Sequence, residues 1–411
     1  MSNHNKHKIL NDPVYGFITI QHTLSFDLMD HPYVQRLRRI SQLGLSHLVY
    51  PGAVHNRFHH AIGALHLMQE AIAVLRAKGT EISDSEAEGA CAAILLHDIG
   101  HGPFSHALEH SIVKGVHHED ISTLIMARLN EEFNGALDTA IAIFNDHHPK
   151  KFLHQLVSSQ LDMDRMDYLA RDSFYSGVAE GKIGSERIIK MLAVEDNELV
   201  VEEKGIYSIE KFLMARRLMY WQVYLHRTVL CAEFMLMTAL KRAKDLAQQG
   251  VEIHASPALR TFIYESLDRT RFFADEAILD QFCLLDDSDI LAALKVWQFH
   301  EDFVLREVSR RIVHRDLFRI DLRPEAFDGE ELSSIVERTA AHYGITEAEA
   351  KYLVINDRID NKLYESGGIT IRFKNGTKAD FADASDQLSR EILMRTVAKS
   401  FVCYPKELGR A

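Results

Sequence analysis

Cysteine is scarce in this sequence. Four occur in 411 residues, Cys91, Cys231, Cys283 and Cys403, each alone and with no CxxC pair. Such spacing argues against a disulfide scaffold and a cysteine-ligated zinc site, and it fits reduced thiols in a cytoplasm. Long apolar runs are missing too. No stretch approaches the roughly 18 apolar residues of a membrane span, and the first residues, MSNHNKHKILNDP, hold no apolar signal core. The expectation is a cytoplasmic chain with no membrane partner. Positive charge is in deficit, with 47 Lys and Arg against 59 Asp and Glu and a formal charge of −12. Tracking nucleic acid over a broad surface rests on the opposite balance, which leaves room only for a local basic pocket. Internal repeats and low-complexity segments are also absent.

What the sequence has is enough apolar material for a sizeable core, 46% of residues, and 23 histidines that cluster between residues 47 and 154. Residues 24–46 carry apolar positions at Leu28, Val34, Leu37, Ile40 and Leu43 and read as a helix, with Pro32 near its start and Gly44 at its stop. A turn-rich bridge, YPGAVHNRF, leads to a second helical stretch that ends at Gly79. The third, EISDSEAEGACAAILLHDIGHGPFSHALEH, opens on polar N-terminal signals and is interrupted by Gly100, Gly102 and Pro103, which exposes side chains at a helix end. Further helices follow through 120–175, then a hairpin across Glu195–Ile206 and a long helix over 208–247. Residues 370–381 read as two strands joined by an Asn375-Gly376 turn. The expected fold is mainly α, with a helical core over 1–250 and an α+β region over 251–411.

The strongest chemical signal is His97-Asp98 at the end of an apolar helix, where an imidazole and a carboxylate offer one divalent ion two ligands of intermediate hardness. His59-His60 lies upstream, and Asp164 lies downstream in LDMDRMDYLARD. One histidine, a His-Asp pair and a distant aspartate make a four-ligand set. A competing reading leaves Asp162, Asp164, Asp167 and Asp172 paired with Arg165 and Arg171 on a solvated helix face.

The motifs DPVYGFI, HPYVQRLRRISQLG, YPGAVHNRFHHAIG, HDIGHGPFSH, HHEDIS and LDMDRMDYLARDS occur in that order within residues 8–245. In this the chain resembles the HD-domain phosphohydrolases, and among them the dGTPase-like and SAM-and-HD-domain deoxynucleoside triphosphate triphosphohydrolases. The resemblance implies an HD-domain helical core and one divalent ion, manganese, iron, zinc, nickel or magnesium, held by His60, His97, Asp98 and Asp164, with further magnesium accompanying the nucleotide. It implies attack of a metal-activated water on the α-phosphorus of a deoxynucleoside triphosphate, releasing deoxynucleoside and triphosphate. His106 is then the candidate acid for the 5′-oxygen, with His101 facing the phosphates and His118 and Glu109 a supporting pair; the family has aspartate where Glu109 stands. Arg57, Arg165 and Arg216 match phosphate-binding positions, Arg165 often being lysine in relatives. Gln42, Tyr168 and Asp172 match residues around the sugar 3′-hydroxyl, and Tyr224 matches an aromatic near the base.

By the same resemblance, Lys8, Asp30, Gln35 and Arg38 match positions that hold an activating nucleotide at a subunit interface, and a homo-oligomer, dimer or tetramer, is expected, with the 251–411 region serving packing and assembly. Two alternatives stand beside this reading. One is an HD phosphohydrolase for another phosphoester, a monophosphate, cyclic nucleotide or alarmone; three phosphate-binding arginines favour the triphosphate over it. The other is a nucleotide-binding regulator, against which the complete ligand set speaks.

Overall fold

A computed structural model describes residues 8–104 and 115–409. It is mainly helical, with nine short to medium strands among the described residues. The chain opens on a hairpin, β1 (Lys8–Asp12) against β2 (Gly16–Ile20), in register from Lys8↔Ile20 to Asp12↔Gly16.

The single helix expected over 24–46 is broken. It forms Thr23–Asp30, Pro32–Arg36 and two 3-10 turns, Leu37–Arg39 and Gly44–Leu48. The residue before a proline is pushed out of the helical region, and His31 is extended at φ −66°, ψ 140°. Farther on, Ser41 bridges antiparallel to Asn56, which pulls the strand-like link down onto the next helix start. That helix, α1 (Arg57–Ala77), is capped by a reciprocal Asn56–His59 box. Next, α2 (Asp84–Leu96) starts from Ser83 with Glu86 closing a second box. Both bury most of their length, as their alanine- and leucine-rich faces require. α3 (His118–Glu132) and α4 (Met163–Ser176) follow, the latter starting from Asp162 and stopping at Gly177 in the left-handed region. α1 packs against both α2 and α4.

The expected hairpin arrives earlier, as β3 (Leu192–Glu195) and β4 (Glu198–Glu202). Asp196 and Asn197 take φ of +53° and +65°, the geometry of a two-residue primed turn, so pairing closes there. The helix expected over 208–247 is two, α5 (Ile206–Met219) and α6 (Arg227–Gln248), bent by 55°. A π-turn over Tyr220–Tyr224, closed by Leu225 N–H on the Tyr220 carbonyl at 2.7 Å, makes the break.

Beyond α6, helices occupy 257–313, then β5 (Arg319–Arg323), β6 (Ile355–Lys362) and β9 (Thr396–Tyr404) form an antiparallel sheet in the order β5-β9-β6. β7 (Thr370–Arg372) and β8 (Lys378–Asp380) are joined at Asn375-Gly376 as expected. They extend the β3–β4 hairpin into a sheet β3-β4-β7-β8, with Val200 and Thr370 paired in parallel. One hydrophobic core runs from Ile18 to Cys403. Among the described residues no single helix is long and apolar enough to cross a membrane.

Candidate active site

Four segments converge: the first turn of α1, the end of α2, the start of α3 and the first turn of α4. Of the adjacent histidines at the α1 start, His59 spends its ring on the cap, with Nδ1 accepting from Asn56 N–H at 3.3 Å. His60, one position on, is fully buried and faces inward. His97 sits where α2 ends and its Nδ1 donates to the Ile94 carbonyl at 2.6 Å. Ser122 in α3 pins the following loop, donating to the His97 carbonyl at 2.8 Å and accepting from Gly100 N–H at 3.0 Å. A Cβ on Gly100 would lie 2.1 Å from the His118 carbonyl oxygen, so only glycine lets the loop lie against α3.

The ligand atoms meet closely. His60 Nε2 and His97 Nε2 are 3.3 Å apart, and Asp164 Oδ1 lies 3.0 Å from the first and 3.3 Å from the second. Asp98 stands beside them, with Oδ1 3.4 Å from His97 Nε2 and Oδ2 3.7 Å from His60 Nε2. Asp98 also belongs to a neighbouring group with His101 and His118. His60, His97, Asp98 and Asp164, the four expected ligands, are thus brought together.

This donor set fits a divalent ion. Both Nδ1 atoms are committed as donors, His60 to Asp167 Oδ2 at 2.7 Å and His97 to Ile94, so both Nε2 atoms present lone pairs to each other and to the carboxylates. Lone pairs crowded in this way repel unless a cation lies among them, and two imidazoles with two carboxylates suit a mid-row metal. The same crowding attracts protons. Burial opposes charging of His60, but hydrogen bonds from its ring to the Asp164 and Asp167 carboxylates raise its pKa to about 10. Burial likewise resists ionisation of Asp98, yet His97, Arg57 and His101 outweigh it and hold the carboxyl well below the usual range.

Behind His60 lies a charged chain that sequence reasoning missed. Asp167 accepts from Arg171 Nε and Nη2, both at 3.0 Å, and Arg171 Nη1 donates to Asp12 Oδ2 at 2.7 Å. Asp12 anchors its own hairpin by accepting from Val14 and Tyr15 N–H at 2.9 Å each. Asp167, Asp172 and Arg171 are 0%, 1% and 0% exposed, which overturns the solvated-face reading for these three.

A cavity of about 660 Å³ reaches the cluster at Asp164 and is lined also by His118, Arg57 and Arg165. Gln42, Tyr168, Asp172 and Tyr224 line it as well, together with the apolar Leu225, Leu230, Phe234 and Met237. Arg57 donates to Asp98 through Nη1, and Arg165 Nε donates to the Ser159 carbonyl at 2.6 Å. Asp172 accepts from Tyr224 Oη at 2.7 Å. His101 is buried and stacked on His118, centroids 3.9 Å apart; burial, then the Arg57 charge, hold its imidazole well below the ordinary value. His118 Nε2 approaches Glu119 Oε1 at 3.3 Å. Arg216 is the exception, standing 5.8 Å over the Tyr220 ring rather than on the cavity wall. His106 and Glu109 lie outside the described residues.

Two other residues escaped the sequence reading. His55 contacts Asp172, and Glu233 lines the cavity, where burial pushes its carboxyl up to about 8. Glu233 lies between Ala232 and Phe234 with no spacing signal to mark it, and the part of His55 depends on Asp172, 117 residues away in sequence. The four residues of the expected regulatory site pair among themselves: Lys8 Nζ with Asp30 Oδ1 at 3.1 Å, and Arg38 Nε with Gln35 Oε1 at 2.7 Å. The Arg38 guanidinium also covers the Phe58 ring at 3.6 Å.

The HD domain family matches residues 57–172, and the HD associated region matches residues 183–257. A crystal structure of a phosphohydrolase from Bacteroides thetaiotaomicron is similar over nearly the whole chain, with a TM-score of 0.94 at 53% identity, covering 97% of this chain and 100% of that one. The uncharacterized protein YwfO of Bacillus subtilis is 34% identical over 363 residues, 86% of this chain and 80% of YwfO. A deoxynucleoside triphosphate triphosphohydrolase SAMHD1 homolog of Dictyostelium discoideum is 31% identical over 257 residues, 57% of this chain and 49% of that protein.

Proposed function

This chain belongs to the HD-domain phosphohydrolase family, and from that premise we propose that it hydrolyses deoxynucleoside triphosphates to deoxynucleoside and triphosphate. The observation that carries this reading is one cavity that brings Asp164 of the metal-ligating cluster together with Arg57 and Arg165, the polar side chains Gln42, Tyr168, Asp172 and Tyr224, and the apolar Leu225, Leu230, Phe234 and Met237. A nucleotide calls for the same three kinds of group, for its phosphates, its sugar and its base.

His60, His97, Asp98 and Asp164 would hold the divalent ion. When bound, that ion supplies Lewis acidity to the phosphoryl group and acidifies a water molecule. Arg57 and Arg165 bind phosphate oxygens, their planar forks matching pairs of oxygens better than an ammonium would. His101, kept neutral by burial, offers a hydrogen bond without adding charge near Arg57. His118, stacked on it and lining the cavity, moves a proton to or from the phosphates, and His106 is proposed as the acid for the departing 5′-oxygen. Tyr168, Gln42 and Asp172 orient the sugar, and Tyr224 packs where a base would lie. Lys8, Asp30, Gln35 and Arg38 are proposed to take an activating nucleotide, and residues 251–411 to serve assembly into a homo-oligomer.

The test is product analysis. Manganese-loaded protein is incubated with each of the four dNTPs, alone and with GTP or a second dNTP, and the products are separated by chromatography. Deoxynucleoside with intact triphosphate is the expected pair. Release of pyrophosphate or single phosphate would place the attack elsewhere and overturn the reading.

A further inference from the structure

His55 lies in the bridge before α1 and is 1% exposed. Its ring nitrogens differ in environment. Nε2 donates to Asp172 Oδ1 at 2.7 Å, whereas Nδ1 is buried and has no hydrogen-bond partner among the described residues. The ring lies face to face on Tyr175, centroids 4.4 Å and planes 13° apart, so its rotation is fixed with Nε2 aimed at the carboxylate. A phenylalanine would fill the same slot without an unsatisfied nitrogen, so packing alone does not account for an imidazole here.

The contact matters because of what Asp172 faces. Tyr224 Oη holds Oδ2 at 2.7 Å while His55 holds Oδ1, and the carboxylate lines the cavity between them. An ionised carboxylate has about four acceptor sites, so each oxygen keeps capacity for a donor arriving from the cavity. The His55 carbonyl also accepts from Gln42 N–H at 3.1 Å, and Gln42 lines the same cavity, its Oε1 buried and without a partner among the described residues. Two acceptors at one cavity match a hydroxyl donor.

We propose that His55 is a positioning residue whose imidazole presets the Asp172 carboxylate, beside the Gln42 amide oxygen, to accept the 3′-hydroxyl of a deoxyribose. The inference rests on the triphosphohydrolase reading above. It assigns His55 no contact with the substrate.

The experiment pairs the side chain with the substrate group it is said to serve. kcat and KM are measured with manganese-loaded full chain for a dNTP and its 2′,3′-dideoxy counterpart, in the native protein and in His55→Ala, His55→Phe and His55→Gln. The native protein is expected to favour the 3′-hydroxyl by about tenfold or more in kcat/KM. His55→Ala and His55→Phe should compress that preference by about tenfold, mainly by raising KM for the dNTP, while the dideoxy substrate loses far less. His55→Gln, whose amide can donate to Asp172, should restore part of it. Phenylalanine keeps the stack on Tyr175, so it decides the matter if alanine does not fold. Equal losses on both substrates, or a native protein indifferent to the 3′-hydroxyl, would overturn the inference and leave the reaction standing. Failure of the native protein to hydrolyse any dNTP would sink the reading and this inference with it.

Discussion

Gly63→Ala sets helix propensity against site geometry. Alanine in a helix interior is ordinarily more stable than glycine by about 1 kcal/mol. At position 63 the added Cβ would fall 2.0 Å from Asp167 Oδ1 and 2.2 Å from Arg171 Nη2. Neither atom is the loose end of a side chain. Asp167 is held by two Arg171 contacts and by His60, and Arg171 is held again by Asp12, all of it buried. Overpacking of this kind costs roughly 1–3 kcal/mol, which cancels the propensity gain and leaves a net loss of up to about 2 kcal/mol. The larger effect falls on the metal. Displacing Asp167 removes the acceptor that fixes the His60 ring, and loss of such an outer partner weakens metal affinity by about 10- to 100-fold. Competition against a chromophoric chelator reads that affinity, and thermal unfolding with and without manganese reads the fold. A variant with a raised Tm and unchanged metal affinity would refute the argument, because the glycine would then serve no close approach.

Ser122→Ala strands Gly100 N–H and the His97 carbonyl and should cost about 1–3 kcal/mol in unfolding free energy by denaturant titration. Glu233 has its carboxyl raised to about 8 in the folded chain, so the proton it keeps favours the fold below its ordinary value of 4.5, and that contribution is lost as pH climbs through about 8. The Tm of Glu233→Gln relative to the native protein should therefore rise with pH across that window, by up to about 1.4 kcal/mol of stability per pH unit; parallel Tm profiles would remove the argument. Asp98→Ala and His60→Ala should each lose bound metal, measured by elemental analysis after gel filtration, together with turnover. Arg38→Ala should retain the metal and instead raise the concentration of added nucleotide needed for half-maximal activation; equal metal loss in all three would undo the two-site picture.

Elements with strong local signals were legible in the sequence. The Ser83 and Glu86 pair marks the start of α2, and Asn375-Gly376, with the glycine at φ +85°, turns β7 into β8, because caps and tight turns depend on residues close in sequence. The four expected ligands were legible because each stands in a recognisable motif, and their side chains lie close together in the fold. What stayed hidden depends on distant partners. YWQVY contains no glycine or proline to announce the π-turn that separates α5 from α6. The Asp167 and Arg171 pair, four residues apart, has the pattern of a water-facing ion pair. It is buried only because Asp12, 159 residues away in a hairpin, completes the arginine's contacts, and because Gly63 leaves room for it.

The same contacts explain how so many charged groups share one buried place. Three of the four candidate ligands are held from behind: His60 by Asp167 of another helix, His97 by the Ile94 carbonyl of its own helix, and Asp98 by Arg57 and by His101 three residues on. Arg57 has a double place in this scheme, since it contacts Asp98 and also lines the cavity. A guanidinium carries five N–H donors in a fixed plane, so on the proposed function one side chain would hold Asp98 and meet a phosphate without moving between them. An ammonium is a single point of charge and would have to divide itself between the two. On that reading the planar fork is what would join the candidate metal cluster to the phosphates, and the proposed function depends on that join.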